Sequence, residues 1–145
     1  MKVIIQRVSS ASVSVKGDVV GQIKQGLLLF IGITHQDSLK NVEWLTHKIS
    51  NLRIFSDIND KLNLSIQDIH GEILAVSQFT LYADAIKGNR PSFAEAAISA
   101  QAMPLYEAFI AALRAKGIKT ATGIFATDMQ VQLINDGPVT IVLEK

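Results

Sequence analysis

Cysteine is absent from this chain, and that gap removes disulfide bonds, thiolate metal sites and a cysteine nucleophile together. An excess of charge is missing as well. Fourteen Lys and Arg against 13 Asp and Glu leave a formal net charge of +1, which gives no broad electrostatic footprint for a long nucleic acid. A local basic patch still suffices for one phosphodiester end. The longest apolar run, "GLLLFIGI" from Gly26 to Ile33, is too short to cross a bilayer, and "MKVIIQRVSS" at the N-terminus has a strand-like pattern without a cleavage site. These two absences predict a cytoplasmic protein with no membrane association.

Familiar catalytic sets are also lacking. His35, His47 and His70 have no partners at metal spacing, no Gly-x-Ser-x-Gly elbow occurs, and no glycine-rich loop ends in Lys-Ser/Thr. Each histidine reads as a surface or turn residue. Asp128 and Asp136 lie beside strand and turn positions where aspartate serves backbone geometry, so paired-carboxylate chemistry is not indicated. No metal and no cofactor are expected.

Apolar residues are what the chain has in plenty. At 145 residues it is long enough to bury a real core as one domain spanning 1–145. A hydrophobic fraction of 48% and a mean hydropathy of +0.27 exceed what such a core needs, which predicts that apolar surface is covered by a second copy of the chain.

Hydrophobic periodicity sets the elements. "VIIQRVSSASVSV", "VVGQI" and "LLLFIGI" read as three antiparallel strands, with "KGD" as the first turn. From Asp37 the period lengthens: Leu39, Val42, Leu45, Ile49 and Leu52 share a helical stripe, capped by Asp37 or Ser38, with Trp44 at its flank. "RIF" predicts a short strand, "DINDKLN" a turn, "EILAVSQFTLYA" a strand after Gly71, and "DAIKGNRPSF" a loop. A second helix ends at Gly117; it either begins near Ala102 with Pro104 in its first turn or kinks at Pro104. "MQVQLI", the hairpin signal "NDG" and "PVTIVLE" close the chain. The order of elements argues for α+β, a largely antiparallel sheet packed with two helices, with sheets meeting across a homodimer.

Three polar segments remain, "SQFTL", "KGNRPSF" and "NDGPVT". The first is the oddest, because as one extended strand residues 73–82 turn polar on both faces at the same level, at Ser77, Gln78 and Thr80. Either the strand simply leaves the core or it ends in a pocket.

With "MKVIIQRV", "SQFTL", "KGNRPSF" and "NDGPVTIVLE" in place, the whole chain resembles the D-aminoacyl-tRNA deacylase family. The resemblance implies hydrolysis of the ester joining a D-amino acid, or achiral glycine, to the terminal adenosine of tRNA, by a homodimer without a metal. It also implies that Ser77, Gln78, Phe79 and Thr80 line the pocket and that Gly137 and Pro138, joined by a cis bond, enter the pocket of the opposite subunit. Arg7 then supports that dipeptide, and Met129 lies at the pocket wall. Where the family carries Gly-Ala, this chain has Ala126 and Thr127, one methyl more at 126.

Elementary chemistry agrees with that reading. An aminoacyl ester is activated by its neighbouring ribose hydroxyl and its ammonium group, so the enzyme needs orientation and donors for a developing oxyanion rather than a strong base. Backbone N–H groups around Phe79 and Thr80 can supply them where the strand stops pairing, with Ser77 and Gln78 holding adenosine or water. Thr80 then positions and does not attack, since no base adjoins it. The rivals are a noncatalytic module binding RNA ends or nucleotides through Lys87 to Arg90, and a DNA-associated role of some eukaryotic relatives. Those relatives carry a C-terminal tail, whereas this sequence stops at Lys145 after its last strand.

Overall fold

The structure, a computed structural model, describes residues 1–145. Its spine is β1 (Lys2–Val15), which pairs antiparallel on one edge with β3 (Gly26–Gly32) and then β2 (Asp18–Ile23), and on the other with β8 (Gln130–Glu144). Beyond β3 the pairing becomes parallel. β6 (Glu72–Ser77) follows β3 and β7 (Thr120–Thr122) follows β6, completing a six-stranded sheet, while β4 (Phe55–Ser56) and β5 (Leu62–Leu64) form a separate small ribbon. Helices α1 (Leu39–Ser50) and α2 (Ser99–Ala115) pack against one another. The architecture is the expected α+β with a largely antiparallel sheet. The parallel pairs, and the strands β5 and β7, lay outside the sequence expectation; three-residue strands carry too little periodicity to be read.

Continuous apolar runs in β3 and β6 follow from burial on both faces. Leu27, Leu29, Ile31, Ile73 and Ala75 meet Val42, Leu45, Ile49, Phe109 and Leu113 of the helices, whereas Leu28, Leu74 and Val76 meet Val8, Val13 and Ile23 on the far side. Each buried Leu or Ile side chain contributes about 1.5–3 kcal/mol. The central strands are therefore fixed from two directions.

One expectation, Leu39 on the buried stripe, needs correction, and two open choices are narrowed. Ser38 caps α1, its N–H donating to Asn41 Oδ1 at 2.9 Å, and Leu39 is 58% exposed, so the buried stripe begins only at Val42. Asp37 is occupied elsewhere, accepting from the Thr34 N–H at 2.8 Å and pairing with the Met1 ammonium. Helix α2 starts at Ser99 and not near Ala102, which puts Pro104 inside it; the ring and the Ala100 carbonyl left without a ladder donor both lie on the exposed side, where water can serve that carbonyl.

The largest correction concerns "NDGPVT". No hairpin forms there, because 14-residue β1 offers a partner on both sides of the segment and β8 runs on through it. Val8 pairs with Asn135 and Gln6 with Thr140, so residues 136–139 bulge out opposite the single residue Arg7.

Candidate active site

At Ser77 both partners of the parallel pair run out: Ile31 faces Ser77, the Gln78 N–H reaches the Ile31 carbonyl at 2.8 Å, and no strand lies beyond. Residues 73–82 are consequently not one strand. Phe79–Tyr82 close into a single 3-10 turn that sits on Gly32. A β-carbon on Gly32 would lie 2.9 Å from Leu81 Cβ and 3.2 Å from the Gln78 carbonyl, so the turn needs glycine beneath it. We expect Gly32→Ala to lift the turn, lowering any activity that depends on it by about one to two orders of magnitude, while overpacking costs about 1–3 kcal/mol. Rate and urea midpoint on one preparation check it; an unchanged rate would show that the turn tolerates displacement.

The turn leaves two donors over. Leu81 N–H bonds the Gln78 carbonyl at 3.2 Å and Ala83 N–H the Thr80 carbonyl at 3.0 Å, but the N–H groups of Phe79 and Thr80, in the first turn, have no intrahelical partner. Gln78 Nε2 donates to Thr80 Oγ1. These groups open into a cavity of about 840 Å³, mostly apolar, whose lining includes Ser77, Gln78, Phe79, Thr80 and Met129. Five of the eight expected site residues are thus brought together.

The opposite wall comes from residues 125–129 and the start of α2. Phe125 is backed by Tyr106, ring centroids 5.7 Å apart, and Tyr106 donates its hydroxyl to the Ala75 carbonyl at 2.9 Å. Burial pushes the Tyr106 pKa up to about 12, so the hydroxyl stays a donor. Ala126 lies at φ +55, in the left-handed region, where the methyl that alanine carries over glycine costs about 1 kcal/mol.

Arg7, Gly137 and Pro138 form a second group and do not line this cavity. Arg7, 9% exposed, donates from Nη1 to the Ile54 carbonyl at 2.6 Å and from Nε to the Asp136 carbonyl at 3.0 Å, with the Asp136 carboxylate 3.4 Å away. Gly137 has φ +129 and the Gly137–Pro138 bond is cis. A side chain at Gly137 would also meet Arg7 Nη2, 2.8 Å from its β-carbon. Asn135 closes the bulge, accepting from the Val139 N–H at 2.9 Å and donating to Thr140 Oγ1 at 3.0 Å. The sequence reading missed Asn135, and missed Phe93 and Phe125 in the cavity wall. An aromatic after Pro91 in an otherwise polar loop was the available signal for Phe93. No cluster of three or more His, Cys, Asp or Glu side chains is gathered anywhere in the chain.

This geometry can now be set beside known proteins. The family model described as D-Tyr-tRNA(Tyr) deacylase matches residues 4–144. The chain belongs to that family. A curated relative from Exiguobacterium sibiricum, named D-aminoacyl-tRNA deacylase, is 56% identical over 145 residues and is covered 100% along both chains. A solved structure, the c-Myc DNA Unwinding Element Binding Protein, superposes with TM-score 0.93 at 42% identity, covering 100% of this chain and 99% of its own. A probable eukaryotic D-amino acid tRNA deacylase, 16% identical, shares the fold with TM-score 0.85 over 98% of this chain and 97% of its own. The family match takes in both polar groups, the turn after β6 and the bulge in β8. No helix of the chain is long and apolar enough to cross a membrane.

Proposed function

We propose that the chain is a carboxylic ester hydrolase that cleaves the ester of D-aminoacyl-tRNA, and of mischarged glycyl-tRNA, releasing the free amino acid and tRNA. The observation that carries this reading is the strand-end turn with two unused main-chain donors at the mouth of an apolar cavity large enough for a nucleoside and its amino acid. Water attacks the carbonyl carbon, the Phe79 and Thr80 N–H groups stabilise the oxyanion, and the ribose oxygen leaves with a proton. The substrate's own 2'-hydroxyl assists. Ser77 and Gln78 orient the adenosine or the water, and Met129 bounds the pocket. One domain over 1–145 performs this in the cytoplasm, where charged tRNA is used. The decisive test is release of amino acid from D-aminoacyl-tRNA and its L counterpart: selective loss of the D ester supports the reading, and no hydrolysis of either leaves only a binding module.

Thr80 is assigned as a positioning group because its oxygen accepts from an amide donor, the Gln78 Nε2, which lowers nucleophilicity instead of raising it. Thr80→Ala is therefore expected to retain measurable hydrolysis, about tenfold down, and Thr80→Ser to be nearly neutral. An acyl-enzyme trapped on Thr80 would refute the water mechanism.

The active unit in this reading is a homodimer, with Gly137 and Pro138 of one copy entering the cavity of the other. Support comes from the bulge, which presents both residues at the surface away from the chain's own cavity, and from Ile134 and Val142 on β8, 62% and 57% exposed. Sedimentation at assay concentration is expected to give a dimer, and a fully active monomer would sink this assignment.

A further inference from the structure

With a terminal adenosine and its amino acid in the cavity, the nucleotides that precede the adenosine continue toward the tRNA body in solvent and so pass across the cavity lip. One lip is made by Phe79 and Phe93, packed edge to face with centroids 5.1 Å apart. Phe93 anchors the foot of an exposed loop. Its neck is closed by paired backbone bonds between Asp84 and Ser92, both 2.8 Å, and the Asp84 carboxylate turns inward to accept the Ile86 N–H at 2.9 Å. The tip is Lys87-Gly88-Asn89-Arg90, all exposed. Neither cation is paired: the ion pairs of the chain are Met1–Asp37, Lys2–Glu144, Arg7–Asp136 and Lys119–Glu72. On a chain of net charge +1, two free cations beside an amide and a bare glycine, on a neck tied to the cavity mouth, form a local anion-binding tip. A phosphodiester backbone has the matching chemistry, offering one negative charge per nucleotide.

We infer that the 87–90 loop tip binds the phosphodiesters of the single-stranded acceptor end immediately preceding the terminal adenosine, holding the substrate's RNA body while the cavity holds the ester. This rests on the reading of the chain as an aminoacyl-tRNA hydrolase, and it adds a binding surface that the ester chemistry does not require. The contact is electrostatic, acts on tRNA docking, and leaves the chemical step untouched.

The test uses the full-length Lys87→Ala/Arg90→Ala double variant, whose substitutions are solvent-exposed and outside the core. Binding of uncharged tRNA is measured across a KCl series, and hydrolysis of D-aminoacyl-tRNA under both kcat/KM and saturating single-turnover conditions. The double variant is expected to lose about tenfold in kcat/KM, to keep its saturated single-turnover rate, and to show a log–log salt slope shallower by about 1.4, near 0.7 for each lost contact to a single strand. Lys87→Arg/Arg90→Lys, which keeps both charges, should retain the wild-type slope. An unchanged slope overturns the inference, as does a saturated rate that falls as far as kcat/KM. A loss of affinity for a DNA duplex with tRNA binding unaffected also overturns it. Should the wild type hydrolyse no ester at all, the proposed function fails, while the salt slope for uncharged tRNA still judges the loop by itself.

Discussion

On one tRNA body, glycyl ester is expected to be hydrolysed while L-alanyl ester is spared by on the order of a thousandfold, about 4 kcal/mol in the barrier. The expectation follows from the proposed placement of two substituents on the substrate's α-carbon. The ester carbonyl lies against the Phe79 and Thr80 N–H groups, and the ammonium lies against the carbonyls of Gly137 and Pro138 of the second copy. Only the hydrogen and the side chain remain to be assigned. In a D-residue the side chain points to solvent, so chemically diverse D-aminoacyl esters are accepted. Inversion drives the L side chain into the Gly-Pro main chain. That backbone is braced by Arg7 and Asn135 and cannot withdraw cheaply. Discrimination of this kind rejects a shape and recognises no side chain, so glycine, with hydrogen in both places, escapes it. Comparable single-turnover rates for the glycyl and L-alanyl esters would defeat the account even if D-aminoacyl esters were hydrolysed.

Removing the brace should cost both stability and activity. Arg7→Ala takes away the donors to the Ile54 and Asp136 carbonyls and leaves a void below the bulge. The bond to Ile54 is buried, and a lost charged donor of this kind costs about 1.5–3 kcal/mol; the Asp136 carboxylate, 45% exposed, adds little after solvent screening. We expect about 2–4 kcal/mol of destabilisation in urea unfolding and at least about a hundredfold loss of hydrolysis, because the residues proposed to clamp the ammonium lose their seat. Arg7→Lys separates the two effects. Lysine keeps the charge but is a point donor that cannot serve two carbonyls from a planar fork, so it should recover part of the stability and little of the rate. A lysine variant with the wild-type rate would show that charge, and not the fork, is what the bulge requires.

Much of the molecule was legible because local chemistry and global packing agree. The alternation in β1 and the helical stripe through Val42, Leu45 and Ile49 are period signals with a direct physical cause, and the apolar runs "LLLF" and "EILAV" read as strands. The polar break at Ser77 to Thr80 left two readings open, a strand leaving the core or one ending in a pocket, and the fold ends it at a cavity. Its shape was not legible, since a 3-10 turn of four residues has no period of its own and depends on Gly32, which lies 47 or more positions earlier in the chain.

The sequence by itself determined the fold class, the absence of thiol chemistry, the family and the two polar segments that carry its resemblance, because these depend on residue type and short spacing. Tertiary structure alone decided what "NDGPVT" becomes. Asn-Asp-Gly asks for a hairpin, but a turn preference of this kind is a small local term. A 14-residue neighbouring strand that keeps pairing on both sides outweighs it. The segment is left as a bulge, its Asn135 turned from a hairpin signal into the clasp that closes it and its Asp136 held by Arg7 from across the sheet. That Phe93 shares one cavity with Phe125 and Met129 was likewise settled by packing, since it lies 32 and 36 positions from them and meets them only when β6, β7 and α2 converge.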